Sequence, residues 1–297
     1  MQQTSNLNKL IVITGSNKGI GFGILKRLST RNPNYNFIMA VRNVKNGEEA
    51  LDKLAQEVQN AKDRVDIQEL DVADSKSIDN FVERVSKKYE KIDALVNNAG
   101  IFAMPEGNAT GIDQETGLGI GDRYDYETSK WTFQTNYFGT VELTLKMLPY
   151  IAQNGKIIFL GSTYGGLSKL RSEELKKKLQ DPNLTTDELT ALAQDFIESS
   201  KNGKPSERGW QNSAYSASKL LINTLPRTLA LNSEVINKNI QVYSCCPGYV
   251  ATSLNNFSGI MTVDQGAVCP SDLVELPWEV NTEYQGKFFR QSKVYEF

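Results

Sequence analysis

Short apolar runs alternate with segments of helical periodicity along nearly the whole chain, and that alternation admits few architectures. A strand, a helix and a second strand make one βαβ unit, and successive units build a parallel sheet with helices on both faces. The apolar runs predict strands over residues 10–14, 36–41, 65–70, 94–97, 156–160, 240–244 and 287–289. After the third, Asp74 is a natural helix cap, and Ile78, Phe81, Val82 and Val85 recur at the spacings by which a helix buries one face. With 297 residues, 39% hydrophobic and 23% charged, the chain has apolar material for one large core. No stretch reads as a linker. The expectation is a single α/β domain over residues 1–297, a doubly wound parallel sheet of about seven strands.

What the composition lacks narrows the chemistry. There is no histidine, which removes Ser/His/Asp hydrolysis, Cys/His thiol catalysis and nearly all zinc chemistry, so no metal site is expected. Cys245, Cys246 and Cys269 have neither the spacing of a disulfide framework nor a CxxC pair, as expected of a reduced, cytoplasmic protein. The net charge of −2 and the absence of any basic run leave no footprint for nucleic acid or an anionic membrane surface. No window approaches the roughly 18 apolar residues of a membrane span, and the first apolar run is too short for a signal-peptide core. Proton transfer in this chain must use a group other than imidazole.

The first turn carries the first chemistry. Thr14-Gly-Ser-Asn-Lys-Gly-Ile-Gly21 follows a predicted strand and opens a helix, where bare backbone N–H groups can receive a pyrophosphate. Gly15, Gly19 and Gly21 are spaced GxxxGxG, so the general GxGxxG dinucleotide fingerprint is not strictly met. Three glycines nonetheless penalise a helix start unless something needs a close approach. At the end of the second strand, where a carboxylate would take a ribose 2′-hydroxyl, the sequence reads Met39-Ala-Val-Arg-Asn43. Arg42 there and Lys18 in the turn flank one subsite with two cations, which points to a 2′-phosphate and so to NADP(H).

A second stretch is Tyr215-Ser-Ala-Ser-Lys219. Residues four apart on a helix share a face, which sets the Lys219 ammonium beside the Tyr215 phenol. An adjacent cation favours the phenolate and lowers its pKa from about 10 by roughly one to three units. Such a phenol can exchange a proton with a carbonyl or alcohol oxygen. The same spacing is common on solvated helix faces, so the pair gains meaning only from its company.

That company is an ordered set. Thr14 to Gly21, Asp71-Val72, Asn97-Asn-Ala-Gly100, Asn136, Ser162, Tyr215 with Lys219, and Cys246-Pro-Gly248 follow one another along the chain. Together they resemble the short-chain dehydrogenase/reductase family. Asn17-Lys18, Asn136-Tyr-Phe-Gly-Thr140, Gly209-Trp210 and Cys245-Cys-Pro-Gly-Tyr249 resemble, more narrowly, its NADPH-dependent carbonyl reductases and related plant ketone reductases. The resemblance implies a Rossmann-like fold and assigns roles position by position. Gly15, Asn17, Lys18, Gly19, Ile20 and Gly21 would receive the pyrophosphate and Arg42 the 2′-phosphate. Asp71 and Val72 would contact adenine, with Asp71 alternatively capping the next turn. Asn98, Ala99 and Gly100 would line the adenosine side, Asn98 equally well holding the sheet together. Pro247, Gly248, Val250 through its backbone and Thr252 through its side chain would lie along the nicotinamide.

In the same resemblance Ser162 hydrogen-bonds the substrate oxygen and Tyr215 protonates it. Lys219 lowers the phenol's pKa and holds the nicotinamide ribose, and Asn136 carries a water that links the lysine to solvent. The implied activity is reduction of a ketone, aldehyde or quinone by NADPH. Alcohol oxidation at the same site, or a non-catalytic NADPH-binding regulator, are the alternatives. Ile101, Met104, Tyr164, Trp210, Tyr249 and Phe257 are the candidate substrate-pocket residues, an apolar and aromatic set suited to hydrophobic carbonyl compounds.

Two segments depart from a minimal member. Residues 102–127, rich in glycine and acidic side chains, form a long connection of the kind that borders a pocket or makes a solvated excursion. Residues 167–210 contain two cap-like starts, at Ser172 and Thr186, each followed by helical spacing. They read as an inserted helical hairpin ahead of the helix bearing Tyr215. In carbonyl reductases a similar insertion covers the surface through which other members associate, which implies a monomer. Pro226 lies inside the catalytic helix and predicts a kink after Leu225.

Overall fold

Ile11, Val12 and Ile13 are fully buried, the mark of a strand covered on both faces. The computed structural model describes residues 8–103, 126–211, 213–279 and 282–297; Met104 and most of the 102–127 connection lie outside them. The buried strand is β1 (Lys9–Thr14). It pairs in parallel with β2 (Tyr35–Val41) on one side, beyond which lies β3 (Val65–Glu69). On its other side follow β4 (Ile92–Asn97), β5 (Ile151–Leu160), β6 (Gln241–Cys246) and β7 (Phe288–Arg290), all parallel. The order is β3-β2-β1-β4-β5-β6-β7. It reverses direction between β1 and β4, and a crevice opens beyond their carboxyl ends. An eighth strand, β8 (Lys293–Val294), corrects the expected seven: it is a two-residue antiparallel return from β7, too short to leave a periodic signal.

Alternate residues of the strands divide between two cores. Ile11, Ile13, Phe37 and Met39 face α1 (Gly19–Arg31), α2 (Val44–Glu57) and the short α3 (Ala61–Arg64). Leu10, Val12 and Ile38 face the other layer, which contains α4 (Ser75–Lys88), α5 (Tyr126–Phe133) and α6 (Gly139–Met147). Asp74 caps α4 by accepting from Lys76 N at 3.0 Å. That layer continues with α7 (Glu173–Gln180), α8 (Thr186–Ser200), α9 (Ala214–Leu229) and α10 (Ser233–Asn237). The chain then returns to the first face with α11 (Val263–Gly266) and α12 (Val268–Glu275). Helix α9 runs on through Pro226 to Leu229, so the proline does not end it. Among the described residues no helix is long and apolar enough to cross a membrane.

The inserted hairpin is α7 and α8. Its second helix is capped by Thr185, one residue before the expected start, in a full capping box with Glu188. The hairpin is fastened along its length to α5, to Tyr137 beyond it and to α9. Phe196 of α8 stacks on Phe133 of α5 with ring centroids 5.0 Å apart. The Tyr137 and Thr190 hydroxyls share a hydrogen bond of 3.2 Å, and those of Thr186 and Thr228 one of 3.1 Å. Trp210 is fully buried, donates from Nε1 to Asp195 Oδ2 at 3.0 Å and meets Phe196 edge-on at 5.6 Å, which anchors the insertion.

Lys156 of β5 is fully buried at the opposite end of the sheet from the crevice. Its ammonium donates to Val274 O at 2.8 Å and to Leu276 O, and lies 4.0 Å from the centroid of the Trp278 ring. Burial pushes its pKa from 10.5 down to about 7. Between those values the unfolded chain holds a proton that the folded one does not, so this group makes stability rise as pH rises through that window. The stability of the wild type relative to Lys156→Met should therefore increase from pH 7 to pH 10 in urea titrations. A flat difference would show that the ammonium keeps its ordinary pKa.

Candidate active site

The crevice is built from the end of β1. Gly15 takes φ +64°, a left-handed conformation open to glycine, and its N–H donates to Ala40 O of β2 at 2.8 Å. The turn that follows is latched to β4. The Thr14 hydroxyl accepts from Asn98 N at 3.0 Å and Ala99 N at 2.9 Å. The Asn98 carboxamide donates to Thr14 O at 2.8 Å and Gly15 O at 3.2 Å. Gly21 lies directly behind this latch: a Cβ there would stand 2.5 Å from Asn98 Nδ2 and 2.6 Å from Gly15 O. Of the three glycines it is the one needed for packing, and it does not line the cleft.

The cleft beyond has a volume of about 650 Å³. Gly15, Asn17, Lys18, Gly19 and Ile20 form one wall of it, and Arg42, Asp71, Val72, Asn98, Ala99 and Gly100 continue that wall. Asn43 and Asn46 stand beside Arg42 without having been singled out in the sequence. Asp71 also caps the turn after β3, its Oδ1 accepting from Ala73 N at 2.9 Å, so both readings of that residue coexist. Across the cleft stand Pro247 and Thr252, the latter's methyl within 3.5 Å of where a Cβ on Gly19 would be. Gly248, at φ +94°, sits against Met261 and does not reach the cleft. Val250 is buried, and the bridge to Met261 uses Tyr249 O and Ala251 N, leaving the Val250 N–H directed away from Met261.

Tyr215, Lys219 and Ile101 close the other end. Phe102, missed in the sequence although it directly follows Ile101, stands edge-on to the Tyr215 ring at 5.0 Å. Ser162 caps the turn after β5, and its hydroxyl interacts with the Tyr215 phenol. Asn223, one turn beyond Lys219 on α9, holds that serine in place. Its Oδ1 accepts from Ser162 N at 3.2 Å and its Nδ2 donates to Ser162 O at 2.8 Å and Gly165 O at 3.0 Å. Asn136 lies in a π-helical turn, Gln134–Phe138, that joins α5 to α6. Its carboxamide brackets Ile101, accepting from the N–H at 2.8 Å and donating to the carbonyl at 2.9 Å, and also donates to Ser218 Oγ at 3.2 Å.

The electrostatics differ from the expectation. Lys219 Nζ donates to Leu160 O at 2.7 Å and lies 5.8 Å from the centroid of the Tyr215 ring. Burial pushes the ammonium down to about 8. Burial also pushes the Tyr215 phenol up, with the Ser162 hydroxyl acting the other way. The ammonium is aimed at a carbonyl instead of the hydroxyl, and desolvation favours the protonated phenol.

Of the other substrate-pocket candidates, Tyr164 is near enough to Tyr215 to act on its phenol. Tyr249 and Phe257 are exposed on the loop past β6, outside the cleft wall but joined to it where Phe257 N donates to Thr252 O at 2.9 Å. Cys245, Cys246 and Cys269 are buried and free. Among the described residues no group of His, Cys, Asp or Glu could hold a metal ion.

A family model described as short chain dehydrogenase matches residues 9–172 and 197–260. Carbonyl reductase (NADPH) 1 of Mus musculus is 31% identical over 294 residues, covering 98% of this chain and 99% of that one. The (+)-neomenthol dehydrogenase of Arabidopsis thaliana is 30% identical over 300 residues, covering 96% and 97%. Salutaridine reductase of Papaver somniferum is similar in structure, with a TM-score of 0.80 at 26% identity over 96% of this chain and 100% of that one. The family match includes Ser162, Tyr215 and Lys219.

The latch makes a stability prediction. Asn98→Ala strips donors from two carbonyls at the base of the turn, so it should cost about 2–4 kcal/mol, read as a lowered urea midpoint. A loss below about 0.5 kcal/mol would mean that the turn holds its shape without Asn98.

Proposed function

The chain belongs to the short-chain dehydrogenase family, and from that premise we propose that it is an NADPH-dependent carbonyl reductase in which Tyr215 is the general acid. It is an NADP-dependent oxidoreductase of that family, with carbonyl reductases named for NADPH among its relatives. The cation pair Arg42 and Lys18 stands at the end of the cleft where the strand order puts the adenosine half of a dinucleotide. Arg42 would hold a 2′-phosphate, the turn Gly15–Ile20 a pyrophosphate, and Lys219 the nicotinamide ribose. When bound, NADPH supplies the hydride.

The observation that carries the reading is the grouping of Tyr215, Ser162 and Lys219 at the opposite end of that same cleft. A carbonyl oxygen placed between the phenol and the Ser162 hydroxyl can accept from both as negative charge develops on it, and Tyr215 can then transfer its proton. Burial favours the protonated phenol, which is the form that reduction of a carbonyl requires. Lys219 and Asn136 hold the surrounding strand ends, Lys219 at Leu160 O and Asn136 at Ile101. The substrate class we propose is hydrophobic: Ile101, Phe102 and Leu254 line the cleft, Phe102 and Tyr164 stand near Tyr215, and Tyr249 and Phe257 lie on the outer loop. Aromatic ketones, aldehydes and quinones fit that lining.

We also propose a cytoplasmic monomer. Helix α8 lies on α5 and α9, which carries Tyr215, and fastens there through Phe196, Thr190 and Thr186. A second copy would have to displace that buried contact. Light scattering at low micromolar concentration should give the mass of one chain, and a stable dimer would contradict this part.

Two variants test the rest. Tyr215→Phe should abolish turnover of any accepted carbonyl while NADPH binding stays within about twofold of wild type. Retained turnover would remove Tyr215 as the acid. Arg42→Ala should raise KM for NADPH about tenfold and leave KM for NADH nearly unchanged, the loss of one charge-assisted contact to a 2′-phosphate. Equal effects on both cofactors would place the 2′-phosphate elsewhere.

A further inference from the structure

Gln291 and Ser292, neither of them glycine, both take left-handed backbone in the turn between β7 and β8, at φ +51° and +57°. A two-residue hairpin loop asks for that conformation at both central positions. Contacts with α12 hold it there. Ser292 Oγ donates to Asp272 Oδ2 at 2.7 Å, and the Ser292 N–H donates to Cys269 Sγ at 3.3 Å. The turn thus aims a backbone donor at a cysteine sulfur.

A second thiol reaches the same sulfur from the sheet. Cys245 and Cys246 are consecutive on β6, so their side chains leave opposite faces. Cys245 enters the core that Cys269 also lines, and its thiol donates to the Cys269 sulfur. Cys246 points the other way, its Sγ 3.8 Å from the Thr163 hydroxyl. Donation from Cys245, joined by that from Ser292, holds the Cys269 thiol below its ordinary pKa, and the same bond together with burial holds Cys245 well above. One sulfur is prepared to attack and its neighbour keeps its proton. A cavity of about 270 Å³ lies beside them, with Asp272, Leu273, Phe289 and Ser292 in its wall. Ser292 touches Cys269 directly, so a small oxidant in that cavity has one residue between it and the sulfur.

We propose that Cys269 and Cys245 are a redox-modification site, closed into a reversible disulfide by hydrogen peroxide. The Cys269 thiolate attacks one peroxide oxygen: an S–O bond forms, the O–O bond breaks, and the hydroxide that leaves takes a proton to become water. The Cys245 sulfur then attacks the Cys269 sulfur. The S–S bond forms, the S–O bond breaks, and the hydroxyl leaves as water with the proton from Cys245. Two electrons pass from the thiol pair to one peroxide. The bond closes the chain between residues 245 and 269 into a loop that contains Pro247, Thr252, Ser253 and Leu254 of the cleft wall. It therefore ties together the two ends of the segment that borders the cleft.

The test treats the reduced full chain with hydrogen peroxide, alkylates the remaining thiols under denaturing conditions and maps the peptides by mass spectrometry. The expected product is lighter by two hydrogens, joins the peptides bearing Cys245 and Cys269, and carries its single alkyl group on Cys246. Dithiothreitol should restore three alkylated thiols. Cys246→Ala should still form the bond. In Cys245→Ala the oxidised Cys269 has no partner, so dimedone should trap it as the sulfenic acid. Because the sulfurs already touch, the bond should raise the Tm by about 5 °C, as closing a loop of this length does without strain. Hydrogen exchange across residues 249–261 should slow in the oxidised chain. Three free thiols after peroxide, or a bond from Cys246 to either other cysteine, would overturn the proposal. So would a bonded chain whose Tm falls, since the sulfurs would then have been drawn together against the fold. Where an alanine variant fails to fold, the wild-type peptide map decides alone.

Discussion

The Asn98 carboxamide and the Thr14 hydroxyl hold together the ends of the two strands between which the sheet reverses direction. Four backbone groups depend on them, Asn98 N, Ala99 N, Thr14 O and Gly15 O. β1 and β4 send their helices to different faces, which opens a gap between their carboxyl ends. The latch keeps the glycine turn at that gap in one shape, and the absence of a side chain at Gly21 lets α1 approach it. Every distance in the cleft, from Arg42 at one end to Tyr215 at the other, is measured from that fixed corner.

The end of the cleft at Tyr215 is held by a second set of polar brackets. Asn223 fixes Ser162, Asn136 fixes Ile101, and Lys219 fixes the end of β5 through Leu160 O. Three side chains that a family comparison would treat as chemistry or its neighbours thus also carry the geometry. Burial gives them this double use. A group satisfied by backbone at one atom is held still, and its remaining valence can face the cleft. The same burial raises the Tyr215 phenol, which favours its protonated form.

Much of this was legible in the sequence where the constraint is local. The glycine turn, the Tyr215–Lys219 spacing and the hairpin caps at Ser172 and Thr185–Glu188 are short-range patterns, and the fold places them close to where their spacing implies. What was not legible depended on partners distant in sequence. Trp210 precedes α9, and its contacts with Asp195 and Phe196 of the inserted helix leave no local pattern in the sequence. Spacing brought Lys219 near Tyr215 without saying that its ammonium turns to Leu160 O. The π-helical turn at Gln134–Phe138 leaves no apolar period of its own, so the orientation of Asn136 could not be read in advance. The exposed aromatics Tyr249 and Phe257 carry the right chemistry on a loop whose path only the bridge to Met261 reveals.

The central claim is hydride transfer to a carbonyl carbon with a proton to its oxygen. The most direct measurement is mass spectrometry of the products formed from a panel of aromatic ketones and aldehydes with NADPH deuterated at the reactive ring carbon. The account predicts alcohol carrying one deuterium on the former carbonyl carbon, with NADPH consumed in equal amount. NADPH that binds with micromolar affinity while no member of the panel gains deuterium would contradict it and leave a binding protein in place of a reductase.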